Sequence, residues 1–499
     1  MARTARAVAM PALGLDRGSD VPLHRQLYEA LRQAILEGRL RPGARLPSTR
    51  TLAVELGSSR NTVLAAVAQL TDEGYLEGRV GAGTTIRGAL PEALLHARPA
   101  AAPSARGSGA GPRLSRRGAL LVRARAGPRP GGPARPFRPG APAYDEDVIK
   151  RWGQLTARHW GRVSRHLLDY GDPLGFMPLR EAIATYLREA RAVRCEAGQV
   201  MVVSGSQHGL DLATRLLLDP GERAWIEDPG YLGARGALVA AGARVVPVPV
   251  DGDGLVVARG MRVAPDARLA YVTPSHQYPL GVTMSLARRL ALLQWAHTRR
   301  AWIVEDDYDS EYRYTGRPLA SLQGLDRHGR VIYVGTFSKV LFPALRLGYV
   351  VVPPALVDAF AAARGLVDRH PPSVTQAVLA EFIAEGSFAR HVRRTRVRYA
   401  EQQAALVDAA ARKLGGVLEV SPAEAGMHLV GWLPAGADDR GASAAALAAG
   451  LEAPPLSSFR LRPARSGGLL LGYAAWPPAE LRAAAGMLEA ALRLRRASR

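Results

Sequence analysis

The 499-residue chain has only three lysines, Lys150, Lys339 and Lys413. Lys339 closes Thr336-Phe-Ser-Lys339, directly after an apolar run over 331–335 that reads as a buried strand. An amine at the carboxyl end of such a strand is desolvated, which lowers its pKa and lets it attack an aldehyde to form a Schiff base. Asp306 ends another apolar run, Trp302-Ile-Val-Glu305. A carboxylate there can pair with a protonated pyridine nitrogen and keep the ring an electron sink. Gly205-Ser206-Gln207 lies between a strand and a helix start, where free backbone N–H groups take a phosphate. Arg346 can neutralise that phosphate bidentately. Ser338 adjoins the lysine, and Tyr231, in Glu227-Asp-Pro-Gly-Tyr231, opens a helix and can stack on a ring. Each feature alone is commonplace: strand-end aspartates usually cap, Gly-Ser-Gln is usually only a turn, and tyrosines usually fill cores. Their weight lies in their order and spacing.

These residues need a scaffold that brings strand ends together. Residues 199–204, 224–227, 243–248, 268–273, 301–305, 330–335 and 347–352 read as short apolar strands. Helices are expected over 207–218, 231–241 and 286–300. Strands that are apolar on both sides and alternate with helices predict a mainly parallel sheet covered on both faces. Ligands then bind beyond the carboxyl ends of the strands.

Composition sets the outer limits. Hydrophobic residues make up 47% and charged residues 22%, which excludes wholesale disorder and leaves ample core for several domains. The single cysteine, Cys195, excludes an intrachain disulfide and a cysteine-built metal cluster, so no metal is expected and a reducing cytoplasm is. No uncharged apolar run approaches ~18 residues, so no membrane span is expected. The arginine-bearing stretch 1–15 reads as a loose arm. A net charge of +22 should attract polyanions in a salt-dependent way. Yet residues 20–88 carry nine arginines against seven acidic residues, so charge alone does not mark the DNA-like segment.

Residues 89–136 form the boundary. Within 93–136 there are seven Pro, seven Gly, eleven Ala and nine Arg with no acidic residue, and no helical or strand period survives. An extended basic linker is expected there. Before it, apolar residues at helical spacing over 22–38, a loop, and further helices over 49–56 and 60–73 precede a Gly-rich hairpin over 74–86. That order predicts a winged helix-turn-helix over 20–88.

Residues 42–63, Pro-Gly-Ala-Arg-Leu-Pro-Ser-Thr-Arg-Thr-Leu-Ala-Val-Glu-Leu-Gly-Ser-Ser-Arg-Asn-Thr-Val, together with the wing Gly81-Ala-Gly-Thr84, resemble the DNA-binding domain of GntR-type regulators. The resemblance implies that the third helix enters the major groove with Ser59, Arg60, Asn61 and Thr62 against bases and phosphates. It also implies that Ser48 and Arg50 suit backbone phosphates and that Gly83 lets the wing approach the duplex. The constellation around Lys339, with Tyr170-Gly-Asp-Pro-Leu-Gly-Phe-Met-Pro-Leu-Arg180, resembles fold-type-I pyridoxal-phosphate enzymes of the aminotransferase class over 137–499. That likeness implies pyridoxal 5'-phosphate on Lys339, with Tyr308 against the ring hydroxyl. It also implies Tyr170 reaching the phosphate of a partner subunit, hence a homodimer. Fused, the two parts resemble the MocR/GabR-type regulators, as do Thr273-Pro-Ser-His-Gln-Tyr-Pro-Leu-Gly281 and Glu305-Asp-Asp-Tyr-Asp-Ser-Glu311.

Two departures bear on function. Tyr278 stands where aminotransferases usually have asparagine, and Leu470 aligns with the arginine that takes the substrate carboxylate, with Arg460 and Arg462 as nearby substitutes. An intact cofactor site with an altered clamp fits sensing better than turnover. The expected function is therefore a DNA-binding transcriptional regulator that senses pyridoxal phosphate, or an amino compound, through an aldimine. A working aminotransferase carrying a DNA-binding module is the alternative, and a cofactor-free scaffold is a third reading.

Overall fold

The computed structural model describes residues 14–79, 83–88, 114–123, 133–316, 320–464 and 466–497. The arm over 1–13, wing residues 81 and 82, and linker residues 89–113 and 124–132 lie outside the described residues. The chain divides into two compact units, 1–112 and 113–499.

The first unit packs α1 (Leu23–Leu36), α2 (Thr49–Glu55) and α3 (Arg60–Asp72) around Leu27, Leu31, Leu52, Val63 and Leu70. These apolar residues recur every three or four positions, so each helix turns one stripe inward. An antiparallel hairpin, β1 (Leu76–Arg79) and β2 (Gly83–Ile86), closes the unit with Leu76 opposite Ile86. Residues 43–46 lie along its edge: the Gly43 N–H donates to the Ile86 carbonyl (2.9 Å) and the Leu46 N–H to that of Thr84 (2.9 Å).

The linker departs from its expected extended state. Residues Arg116–Arg123 form a short helix, α4. Ser115 starts it, its hydroxyl accepting from the Gly118 N–H at 3.0 Å. Leu120, Leu121 and Val122 remain exposed, so no buried stripe marks the helix and its period does not show in the sequence.

In the second unit eight strands form one sheet. They are β3 (Val200–Val203), β4 (Arg223–Asp228), β5 (Arg244–Asp251), β6 (Gly254–Leu255), β7 (Leu269–Val272), β8 (Trp302–Asp307), β9 (Val331–Thr336) and β10 (Gly348–Val351). Their order is β3-β10-β9-β8-β7-β4-β5-β6. The pairs β5/β4, β4/β7, β7/β8 and β8/β9 are parallel, while β10 runs against both its neighbours and β6 against β5. Side chains alternate between two buried faces, as the apolar runs require. Val202, Tyr333 and Tyr349 pack with Ile183, Leu187 and Phe382 on one face. Met201, Val203 and Ile332 pack on the other with Leu210 and Leu238, from α5 (Ser206–Leu217) and α6 (Leu232–Ala240). Further on, α7 (Leu286–Arg299) joins β7 to β8. The Arg117 Nε of α4 donates to the carbonyl of Ala240, the last residue of α6, at 2.9 Å. A cation is well placed there, at the negative end of a helix.

A smaller antiparallel sheet, β11 (Glu419–Val420), β12 (His428–Trp432) and β13 (Gly468–Gly472), packs its apolar side on α8 (Ser387–Lys413) and α9 (Pro478–Ala497). Among the described residues no helix is long and apolar enough to cross a membrane.

Candidate functional site

At the carboxyl ends of β3, β7, β8 and β9 lies a cavity of about 210 Å3. Its walls include Ser206, Gln207, Tyr231, Asp306, Tyr308, Ser338, Lys339 and Arg346, eight of the ten cofactor residues expected from the sequence. Gly205, the ninth, holds the corner beside them.

Lys339 leaves the end of β9 and donates from Nζ to the Gly140 carbonyl at 2.9 Å. Burial pushes the ammonium pKa down, against the attraction of Asp309 and Asp306. A more readily deprotonated amine is the nucleophile that Schiff-base formation needs. Gly140 has φ +69°, and a Cβ there would stand 2.6 Å from Nζ, so a side chain at 140 would displace the lysine.

Asp306 and Asp307 point to opposite sides of β8. Asp307 turns away from the cavity and takes Arg191 (2.8 Å). On the cavity side, the Tyr271 hydroxyl donates to Asp306 Oδ2 at 2.7 Å, and Oδ1 is buried without a partner. Burial, with Asp307 and Asp309 adding repulsion, pushes the Asp306 carboxyl up to about 7. An orphaned carboxylate oxygen is costly to bury unless a ligand meets it. A protonated ring nitrogen has the right charge and donor.

The opposite corner is built for an anion. Gly205, at φ +92°, precedes α5, whose first turn is Ser206-Gln207. The Arg346 guanidinium donates to the Ser204 carbonyl at 2.9 Å and lies 2.9 Å from where a Cβ on Gly205 would stand. Glycine is thus required both by φ and by the close approach of the guanidinium. Ser338 Oγ is buried and unpartnered on the same wall. Helix-start N–H groups, a guanidinium and a free hydroxyl together suit a phosphate. The residues present therefore fit pyridoxal phosphate at both of its charged ends.

Tyr231 caps the start of α6 with its ring in the wall, and burial raises its hydroxyl to about 12. Tyr308 also lines the cavity. Tyr278, in place of the expected asparagine, lines the cavity at 5.8 Å from the Tyr231 and Tyr308 rings and 5.5 Å from Phe459. Leu470 is buried in β13 with Val430 and Leu456. Arg460 and Arg462 are not among the lining residues; the Arg462 N–H instead donates to Asp228. Tyr170 is the residue not brought to this cavity. It is 75% exposed beside a separate groove with Trp160 and His370, under the Arg369 guanidinium at 4.6 Å.

Sequence reading missed Gly140, Tyr271, His276, Asp309 and His428. Tyr271 carried a usable signal, because a tyrosine inside a strand buried on both faces must find a partner for its hydroxyl. His428 donates from Nε2 to the Pro279 carbonyl at 3.0 Å, and burial together with His276 pushes it down to about 3, so it is neutral. Among the described residues no cluster of three His, Cys, Asp or Glu side chains could hold a metal.

In the first unit, Ser48 and Ser59 start α2 and α3, and each hydroxyl accepts from the N–H three residues on, at 3.1 Å. Each also meets a threonine hydroxyl at 2.8 Å, Thr51 for Ser48 and Thr62 for Ser59. Both serines thus have a capping task beside any DNA contact. Arg50, Arg60 and Asn61 are exposed, and Thr62 is half-buried. Gly83, at φ +84°, leaves room for Arg45: a Cβ there would be 2.6 Å from its Nε. Arg45 is half-buried beside the wing and is a further basic group that the sequence pattern does not single out.

Residues 23–86 match the family of bacterial regulatory proteins, gntR family, and residues 140–488 match aminotransferase class I and II. The chain is 44% identical over 481 residues to the probable rhizopine catabolism regulatory protein MocR of Rhizobium meliloti, covering 96% of this chain and 95% of that one. It is 33% identical to the pyridoxine biosynthesis transcriptional regulator PdxR of Corynebacterium glutamicum, over 81% and 82% of the two chains. The fold also superposes on LysN, the α-aminoadipate aminotransferase of Thermus thermophilus, with a TM-score of 0.67 and 29% identity over 73% of this chain and 93% of that one. A DNA-reading unit and an aminotransferase-fold unit, each matched in its own family and matched together along whole regulators, make this chain a member of the MocR-type subfamily of GntR transcriptional regulators.

Proposed function

We propose that this regulator holds pyridoxal phosphate on Lys339 and that occupancy of the cavity, by the cofactor alone or by an amine reacting with it, changes how the protein engages DNA. The observation that carries the reading is the pairing of unmet needs within one cavity. Asp306 offers an orphaned carboxylate oxygen and Ser338 an unpartnered hydroxyl, in the cavity that also holds the Lys339 amine. When bound, the cofactor supplies an aldehyde that condenses with primary amines. Arg346, with Ser206 and Gln207, would hold its phosphate, Asp306 its ring nitrogen, Tyr231 its ring face and Tyr308 its ring oxygen. The LysN relative was solved with N-(5'-phosphopyridoxyl)-L-leucine, and the PdxR relative is named for pyridoxine biosynthesis, which favours a cofactor of this class.

The working parts follow the sequence boundaries: 20–88 reads DNA, 89–136 links, and 137–499 binds the effector. In the reader, Arg60, Asn61 and Thr62 at the start of α3 meet base edges and phosphates, with Ser48, Arg50, Ser59 and Gly83 supporting them. The exposed Tyr170 would leave its contact with Arg369 to reach the cavity of a second copy in a homodimer, and such a regulator works in the cytoplasm. A route from cavity to linker also exists within the second unit. Helix α6 starts at Tyr231 in the cavity wall and ends at Ala240, whose carbonyl holds Arg117. Occupancy shifts DNA binding only if ligand binds the two arrangements of the protein with different affinity.

The test is uptake of pyridoxal phosphate by the apo-protein, followed by the visible band of the lysine-linked cofactor. Wild type should develop the band and Lys339→Ala should not. A Lys339→Ala protein that develops the same band would remove the anchor assignment.

A further inference from the structure

Tyr308 lines the cavity, and its hydroxyl lies 2.9 Å from His276 Nδ1. The same nitrogen lies 3.0 Å from Asp309 Oδ2. His276 and Asp309 are 2% and 1% exposed, so this three-membered chain is dry on its inner side. The imidazole is also closely packed. A Cβ on Gly426 would stand 2.0 Å from its Cε1, and one on Gly281 would stand 3.2 Å from its Nε2. Glycine at 426 and 281 thus leaves the ring the room it occupies.

One nitrogen facing two oxygens raises the question of which atom carries the proton. Were it on Nε2, a buried N–H would lack an acceptor, since His276 Nε2 has no partner. The Nδ1 lone pair would also face the lone pairs of Asp309. An unmet buried donor alone costs about 1–3 kcal/mol. With the proton on Nδ1, the imidazole donates to the Asp309 carboxylate in a charge-assisted bond and shares that proton with the Tyr308 oxygen. Nδ1 then has no lone pair for Tyr308, so the tyrosine's own proton must point elsewhere, and the cavity is the open direction. The other titratable group against the ring, His428, is neutral and bonded to Pro279. Asp306 and Lys339 lie beyond, in the cavity wall.

We propose that His276, oriented by Asp309, is a positioning residue that fixes Tyr308 as a hydrogen-bond donor to the ring oxygen of the bound cofactor. The inference rests on the cofactor reading above. It adds residues from two loops, after β7 and after β8, to a site otherwise made by strand ends and a helix start.

The test is the pH midpoint of the visible band of the lysine-linked cofactor in the full-length holo-protein. A donor to the ring oxygen favours the form with more negative charge there, so losing it raises the midpoint. Tyr308→Phe and His276→Ala should each raise it, by roughly one pH unit for one charge-assisted hydrogen bond. His276→Asn, whose amide nitrogen can stand where Nδ1 stands, should return it toward wild type. His276→Ala added to Tyr308→Phe should add nothing further, because His276 acts through the tyrosine. If His276→Ala does not fold, His276→Leu supplies the same loss of donor at closer volume. A band that forms in the His276 variants with an unmoved midpoint overturns the proposal, as does a full further shift in the Tyr308→Phe background. A wild type that forms no band overturns the cofactor reading itself, and this inference with it.

Discussion

Asp306 should cost the apo-protein stability that it returns only when a cation arrives. Its carboxyl ionises near pH 7 in the folded chain against 3.8 ordinarily, because it is buried and faces Asp307 and Asp309. Below pH 3.8 the group is protonated in both folded and unfolded chains and costs nothing. As the pH rises, the unfolded chain ionises first, so stability is lost until the folded carboxyl ionises near 7. At about 1.4 kcal/mol per pH unit, the whole displacement is on the order of 4 kcal/mol, and the part between pH 5 and 7 about 3 kcal/mol. Asp306→Asn keeps an oxygen for the Tyr271 hydroxyl and removes the titration. In urea unfolding of the apo-protein, the stability of Asp306→Asn relative to wild type should therefore grow by about 3 kcal/mol from pH 5 to pH 8. Of the other buried carboxyls near 7, Glu305 and Glu311 are common to both proteins and drop out, while Glu227, raised partly by the Asp306 charge, is relieved in the variant and adds to the difference in the same direction. The same variant should bind pyridoxal phosphate more weakly, having lost the partner of the ring nitrogen. A stability difference that stays flat with pH would refute the reasoning, since it would mean the carboxylate is already satisfied without a ligand.

Three further outcomes follow from the geometry. Ser59→Ala should lower the stability of the DNA-reading unit by about 1 kcal/mol through loss of the α3 cap. Arg60→Ala should leave stability alone and weaken operator binding by about 1–3 kcal/mol if it reads a base; thermal unfolding and DNA titration at fixed salt separate the two effects, and an unchanged affinity would take Arg60 off the contact surface. Arg117→Ala should leave cofactor uptake intact but shrink the difference in operator affinity between apo and holo protein by up to about 1 kcal/mol, the scale of one exposed charged hydrogen bond. An undiminished difference would show that α4 carries no coupling.

Strand-end logic found eight of the residues around the cavity because each is set by its own local stretch, a strand, a turn or a helix start, and the family resemblance added Tyr308. Gly140 was not legible in that way. Its carbonyl meets Lys339 across 199 residues of chain, through the pairing of Phe137 with Gly472 that lays the segment over the cavity. His276 and Asp309 stand within subfamily motifs, and nothing in either loop says that one nitrogen will stand between a tyrosine and a carboxylate. Helix α4 escaped for the opposite reason. It buries no apolar stripe and is held by a serine cap and one arginine contact, neither of which leaves a period in a Pro/Gly/Ala/Arg-rich stretch. In the DNA-reading unit the pattern was legible but the tasks were merged. Ser48 caps α2, as a serine before a helix over 49–56 predicts, while Ser59, expected only against DNA, caps α3 as well.

The most direct test is binding of the full-length apo-protein to DNA upstream of its own gene, at fixed salt, with and without pyridoxal phosphate, with Lys339→Ala alongside. The expected result is a change in affinity or footprint for wild type on adding the cofactor, tenfold in affinity corresponding to about 1.4 kcal/mol of coupling, and no change for Lys339→Ala. An equal response from both proteins would contradict control through Lys339. So would a wild type that takes up the cofactor yet binds the same DNA identically with it, without it and with primary amines added.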